Sequence, residues 1–429
     1  TPGSTWYAGN NSTNGGNNSG WTFASCDSTA PVFSSVTPTS SSSINNVTTS
    51  SDIAFTTDEA LASGSITITR TGGTADGNSP HTCTLTGTAL NVGAHTINLS
   101  DTTNSCTSDV SNLVSGTVYT FVLAGQDANA NVATPITSTS VTFDNTLPTI
   151  TNVSSDKANG SYTTGEIIDI DVTFSEAVTS TGSVTVTLET GDTDRTCTFT
   201  VTGVTTGTCN YTVQAGDTSS DLTVSTISGT IADAAGNAMT NFVPATNLAA
   251  NKALVIDTTA PSAPGTPDLT AGTDSGSSST DDITSDTTPD FTISCESSAT
   301  VTLKEGGTTL GTGACASSTV TITSSALSDG AHAIKALQTD TASNVSSDSS
   351  TLSVTIDTTG PIISEVTAVI SPTSDNTPNY TFTTNEAGAI SYGGGCTSAT
   401  SSASSGSNTV TFTTLADDVY SNCTIVVTD

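Results

Sequence analysis

"DTTAP", Asp257–Pro261, is the stretch that organises this sequence, because it occurs three more times in altered form: "DSTAP" at Asp27–Pro31, "DNTLP" at Asp144–Pro148 and "DTTGP" at Asp357–Pro361. The copies lie roughly 100–120 residues apart, the size of one β-sandwich domain. Each follows an apolar run, "GWTFASC", "TSVTF", "KALVI" or "LSVTI". Proline has no N–H for a sheet ladder and holds the chain extended, so each phrase ends a strand and reads as a short, stiff linker.

Between the linkers, "SITITRT", "SVTVTLET" and "TVYTFVLAG" alternate apolar with polar residues and are bounded by Gly, Ser, Asn and Asp. No segment sustains a helical period. Several short strands per repeat predict an all-β chain of tandem immunoglobulin-like β-sandwiches arranged as a rod. The expected division is an N-terminal segment over 1–26, then repeats over 27–144, 145–257, 258–357 and 358–429.

The chain has 429 residues, more than one hydrophobic core supports. Apolar residues make up 33% and aromatic residues 5%, so each core is thin. Low hydrophobicity with a net charge of −33 is also the signature of disorder, but the β-branched alternation argues for folded strands. Only 6 Lys+Arg stand against 39 Asp+Glu, which leaves no basic patch for nucleic acid or an anionic membrane surface. The excess of acids serves solubility, and it also suits a divalent cation. No run approaches the roughly 18 apolar residues of a membrane span.

Two further landmarks recur. Early in each repeat an apolar strand ends at an acid: "IAFTTDEA" (Ile53–Ala60), "VTFSEA" (Val172–Ala177), "FTISCES" (Phe291–Ser297) and "YTFTTNEA" (Tyr380–Ala387). Later an aspartate opens an Asn-containing turn: "DANAN" (Asp127–Asn131), "DAAGN" (Asp233–Asn237) and "DTASN" (Asp340–Asn344). With these landmarks in one order, the chain from its first linker onward resembles the bacterial immunoglobulin-like repeats of large surface adhesins and biofilm-associated proteins. The resemblance implies an extracellular or cell-surface setting, a structural or adhesive role without enzymatic activity, and calcium at the junctions between repeats.

In an immunoglobulin-type sandwich, the loops that follow the second and sixth strands lie at the end where the chain comes in. The linker Asp, the early acid and the late Asp of each repeat are therefore expected to meet. The predicted calcium sets are Asp27, Asp58, Glu59 and Asp127; Asp144, Glu176 and Asp233; Asp257, Glu296 and Asp340; and Asp357, Glu386 and Asp429. Crowded carboxylates repel one another unless a cation lies between them, and calcium accepts six to eight oxygens. The competing reading is that these Asp and Asn residues only close Asx turns.

Nine cysteines without a zinc-type spacing point to disulfides in an oxidising compartment. They fall as Cys83 and Cys106, Cys197 and Cys209, Cys295 and Cys315, and Cys396 and Cys423. One bridge within each repeat is the economical pairing among those the count allows. Cys26 is left over.

Little else suggests chemistry. His81, His95 and His332 show no metal spacing and are expected in surface turns and strand edges. Glu166, Asp169 and Asp171 in "GEIIDIDVTFSE" could be mistaken for catalytic carboxylates, but their alternation describes a solvated strand face. "GGG" at Gly393–Gly395 lacks the Lys of a phosphate loop. Trp6 and Trp21 both precede the first linker, which favours a structural fibre over an adhesin that grips a glycan or protein ligand.

The closing stretch "CTIVVTD" matches "FVLAGQD" and "IKALQTD", so Asp429 corresponds to Asp127 and Asp340, and the last strand of the fourth repeat does not follow. The opening residues carry such a strand before the first linker. Two readings stand: the sequence is a window on a longer protein, or Trp21, Phe23 and Cys26 belong to a strand that completes the fourth repeat of another copy, giving a head-to-tail polymer.

Overall fold

A computed structural model describes residues 27–49, 51–275 and 278–428. The described residues form strands, with one α-helical turn among them at Leu248–Asn251 and a 3-10 turn at Gly87–Leu90. It divides into two compact units. Of the described residues, the first contains those up to Asn159, Ile167–Thr212 and Asp221–Leu254; the second contains Gly160–Glu166, Val213–Ser220 and those from Val255 onward.

The first and third repeats share one topology. In the first, Phe33–Thr37, Ala54–Thr57 and Gly93–Thr96 form a three-stranded sheet. It faces a five-stranded sheet in the order Ser43–Ile44, Ile136–Phe143, Thr117–Gln126, Ser63–Gly73 and His81–Thr84. Ser43–Ile44 runs parallel to the last strand, with Ile44 opposite Phe143. In the third, Ile283–Thr284 does the same against Leu352–Ile356. This is a sandwich with its last strand clasped between a long antiparallel strand, Thr117–Gln126 or Gly330–Thr339, and a short parallel one.

Alternation decides which side chains enter the core. Along Ile167–Ser180, Ile168, Ile170, Val172 and Phe174 are buried while Asp169, Asp171 and Thr173 stand on the other face. After Phe174 the strand exchanges Ile150–Ser154 for Ile231–Asp233 along one edge, while Val204–Thr212 stays along the other across a register shift after Thr173. The last strands obey a common phase: Val141 and Phe143, Leu254 and Ile256, and Val354 and Ile356 are all buried, three and one residues before a linker Asp. Each such side chain contributes about 1.5–3 kcal/mol by leaving water. Disulfides join Cys83 to Cys106, Cys197 to Cys209, Cys295 to Cys315 and Cys396 to Cys423.

Tyr119, at the start of the strand Thr117–Gln126, accepts a hydrogen bond from Val114 N at 3.0 Å and donates to Asp76 Oδ2 at 2.7 Å. His81 Nε2 lies 2.6 Å from the same oxygen and is 4% exposed. The expectation of a surface histidine is corrected here: Asp76 supplies the polar partner that allows an imidazole into the core. Burial pushes the Tyr119 hydroxyl up to about 12.

The fourth repeat pairs Asn379–Thr384 with Ile363–Thr367 and Gly406–Thr411, and Gly388–Gly393 with Ser402–Ala403 and Thr424–Thr428. "GGG" closes the strand Gly388–Gly393: Gly394 and Gly395 have φ of 71° and 87°, and a Cβ on Gly394 would meet Asn422 O at 1.7 Å. Thr424–Thr428 is paired along one edge only among the described residues.

Candidate metal centres at the repeat junctions

Each linker Asp first closes a local turn. Thr29, Thr146, Thr259 and Thr359 donate their backbone N–H to Oδ1 of Asp27, Asp144, Asp257 and Asp357, at 2.9–3.0 Å. The late aspartates do likewise. Asp233 Oδ1 accepts from the amides of Ala235 and Asn237 at 2.9 and 2.8 Å, and its Oδ2 accepts from Asn237 Nδ2 at 2.7 Å. Asp127 with Asn131 and Asp340 with Asn344 repeat the pattern. The Asx-turn reading is therefore realised at each of these positions.

The turns also hold the linkers. Asn131 Nδ2 donates to the carbonyl of Asp27 at 3.1 Å, Asn237 Nδ2 to Asp144 at 2.8 Å and Asn344 Nδ2 to Asp257 at 2.9 Å. A second tie recurs five residues after each linker Asp. Val32 N donates to Asp58 Oδ1, Thr149 N to Ser175 Oγ, Ser262 N to Glu296 Oε1 and Ile362 N to Asn385 Oδ1, at 2.5–3.0 Å. The side chain at this position is spent on the linker. The next residue is Glu59, Glu176, Ser297 or Glu386, and of these Glu59 and Glu176 meet the two aspartates.

That one-residue offset separates the predicted sets. Ligand oxygens of Asp27, Glu59 and Asp127 lie within 4.8 Å of one another, and so do those of Asp144, Glu176 and Asp233. Asp58 does not join the first trio because it caps Val32. Among the described residues, Asp257, Glu296 and Asp340 form no such trio. Glu296 is engaged with the linker, Ser297 stands where the ligand glutamate would, and buried Gln338 bridges Glu296 N and Ser262 O. Asp357 and Glu386 are described, with Glu386 accepting from Asn385 Nδ2, whereas Asp429 lies outside the described residues, as do Trp21, Phe23 and Cys26.

Electrostatics follow the geometry. Burial, then the charges of Asp27, Asp127 and Asp58, raise the Glu59 carboxyl above the ordinary range. Burial, Asp144 and Asp233 do the same to Glu176. The Thr29 hydroxyl and amide hold Asp27 low. A hard cation that takes carboxylates and carbonyls fits both trios, because it cancels the repulsion that raises the glutamates. A third group, Asp156, Asp169 and Asp171, also gathers within 4.8 Å. Sequence reading placed Asp169 and Asp171 on a solvated strand face and missed Asp156, whose amide donates to Asp169 Oδ2 at 2.6 Å. His95 and His332 turn to backbone carbonyls of Asn91 and Ser328.

Residues 259–358 match the family model of the bacterial Ig-like domain. The match spans the third repeat, and the Ig-like topology it implies is the one that the first repeat shares. Solved structures with a likeness include a tetra-tandem repeat from the extending region of a large adhesion protein, 19% identical over 93% of this chain and 91% of that chain, with a TM-score of 0.27. Mouse cadherin-23 EC22–24 is 13% identical over 76% and 98%, with a TM-score of 0.21. Latent PorU from Porphyromonas gingivalis is 11% identical over 74% and 32%, with a TM-score of 0.17. No curated protein sequence matches the chain. Among the described residues, no helix is long and apolar enough to cross a membrane.

Proposed function

We propose that the chain is a non-enzymatic structural stretch of an extracellular or cell-surface protein of the adhesin type, in which Ig-like repeats are held in series and calcium fills the trios of the first and second junctions. One observation carries this reading: the polar residues that recur from repeat to repeat are those that grip the linkers, as Asn131, Asn237 and Asn344 do. Calorimetric titration of the calcium-free chain tests the metal. Heat and a higher Tm are expected, and both shrink in the pair Glu59→Gln and Glu176→Gln. Absence of heat together with an unchanged Tm removes calcium from the account.

A second reading concerns assembly. In the fourth repeat an apolar groove of about 710 Å³ runs between residues 363–380 and 412–425, lined in part by Val369, Tyr380, Phe412, Leu415, Tyr420 and Ile425. Ile370 and Val419 of its lining are exposed. In the first and third repeats the last strand fills the corresponding space with Val141 and Phe143 or Val354 and Ile356. The occupant proposed is the strand Trp21–Cys26 of a second copy, which precedes Asp27 as those strands precede Asp144 and Asp357. Their common phase would set Ala24 and Cys26 inward, so Ala24→Asp places a charge in the groove. Sedimentation of the full chain is expected to show concentration-dependent association that this substitution abolishes; a monomer at every concentration would refute donation between copies.

A further inference from the structure

The strand Leu254–Asp257 carries the second repeat into the third, and its ladder runs up to the linker itself, with Ile256 opposite Ser219 and Asp257 opposite Thr218. Gly160–Tyr162 pairs along its other edge. Two segments of the second repeat, Gly160–Glu166 and Val213–Ser220, lie in one compact unit with the third repeat. Both are pinned to each other and to themselves: Gly165 N donates to Val213 O and Val213 N to Glu166 O, each at 2.9 Å, and Gln214 N donates to Oδ2 of the buried Asp217 at 2.9 Å.

From this base two side-chain contacts reach the junction. Thr163 Oγ1 donates to Oδ1 of Asn344, in the entry turn of the third repeat. In the linker, Thr258 Oγ1 donates to Asp217 O at 2.9 Å and accepts from Gly216 N at 3.1 Å. Asn344 thereby uses both ends of its amide. Its Nδ2 donates to Asp340 Oδ2 and to the carbonyl of Asp257, both at 2.9 Å, while its Oδ1 accepts from the preceding repeat. A network whose members are each fixed by a sheet or a closed turn allows one geometry, because bending the joint breaks its bonds together.

The junction between the first and second repeats has a different chemistry. Asp144, Glu176 and Asp233 meet there, and three carboxylates repel one another unless a cation lies between them. At the next junction Ser297 stands in the glutamate's place and Glu296 is bound to Ser262 N. We propose that Thr163, Thr258 and Asn344 form a metal-independent lock between the second and third repeats, so that loss of calcium loosens the joint before the second repeat and leaves the joint after it fixed. The proposal rests on the reading of the repeats as held in series, with calcium at the junction trios.

Double electron–electron resonance on the full chain reads both joints, with spin labels on noncanonical residues that leave the disulfides intact. Thr82, Thr198 and Thr309 are exposed, one in each of the first three repeats. The pair Thr82 and Thr198 spans the first joint, and Thr198 and Thr309 span the second. In calcium both distance distributions are expected to be narrow; in chelator the first broadens and the second keeps its width. Thr163→Val, which removes the donor at nearly constant shape, is expected to broaden the second distribution in either buffer and to leave calcium uptake unchanged. A second distribution that broadens on chelation in the parent, or that stays narrow in Thr163→Val, overturns the proposal. Should Thr163→Val fail to fold, Thr258→Val, which removes the bridge between Gly216 N and Asp217 O, decides in its place. A first distribution indifferent to calcium defeats the metal reading of that junction alone, since the lock is judged on the second.

Discussion

Asn237 divides its amide between Asp233 Oδ2 and the carbonyl of Asp144, and so couples a turn to the linker ninety-odd residues earlier. Beside it Glu176 is raised by burial and by the charges of Asp144 and Asp233. A carboxyl with a raised folded-state pKa binds more protons folded than unfolded, so the contribution of Glu176 to metal-free stability is fully present below the ordinary glutamate range and is lost as pH rises through its own raised value. Glu176→Gln is therefore expected to raise the metal-free Tm by a few degrees at pH 7 and to change it little at pH 4, with calcium reversing the order at pH 7. A variant that melts with the parent at both pH values would show that the trio is not under strain. At this scale the sequence displayed the right residue types at Asp144, Glu176 and Asp233. It could not show that Asp58 and Glu296 cap a linker amide, since that role depends on a residue's place after the strand, and Ser175 and Asn385 fill it equally well.

Strands are where pattern and structure agree most closely. Alternation in "GEIIDIDVTFSE" puts Ile168, Ile170 and Val172 in the core and the aspartates outside, because a pleated strand turns successive side chains to opposite faces. The buried network of Asp76, His81 and Tyr119 was not legible, since it joins a loop, a strand start and a corner through groups that each look like surface residues alone. Neither were the short strands Gly160–Tyr162 and Thr218–Ser219, which pair with the expected strand Leu254–Asp257 in a sheet of their own. With cores this poor in aromatic residues, the disulfides matter. Replacing Cys83 and Cys106 together by Ala, which opens a bridge between residues 23 apart, is expected to cost about 2–5 kcal/mol and to lower the first thermal transition. An unchanged first transition would show that the core around Ile66 and Leu123 suffices.

Across the whole molecule the four linker phrases were legible as a period, and the Ig-like topology of the first and third repeats followed from strand number and spacing. The difference between junctions was not, because a single residue, Ser297 in place of a glutamate, decides whether three carboxylates meet. Each of the first three linkers is gripped by the repeat it enters. Hydrogen exchange at Thr146 and Thr149 in the full chain tests that grip most directly, since their amides donate to Asp144 Oδ1 and Ser175 Oγ. Both amides are expected to exchange far more slowly than those of an unstructured peptide, and Asn237→Ala is expected to speed them by about tenfold, the loss of roughly one hydrogen bond. Exchange in the parent chain at the rate of an unstructured peptide would contradict the account.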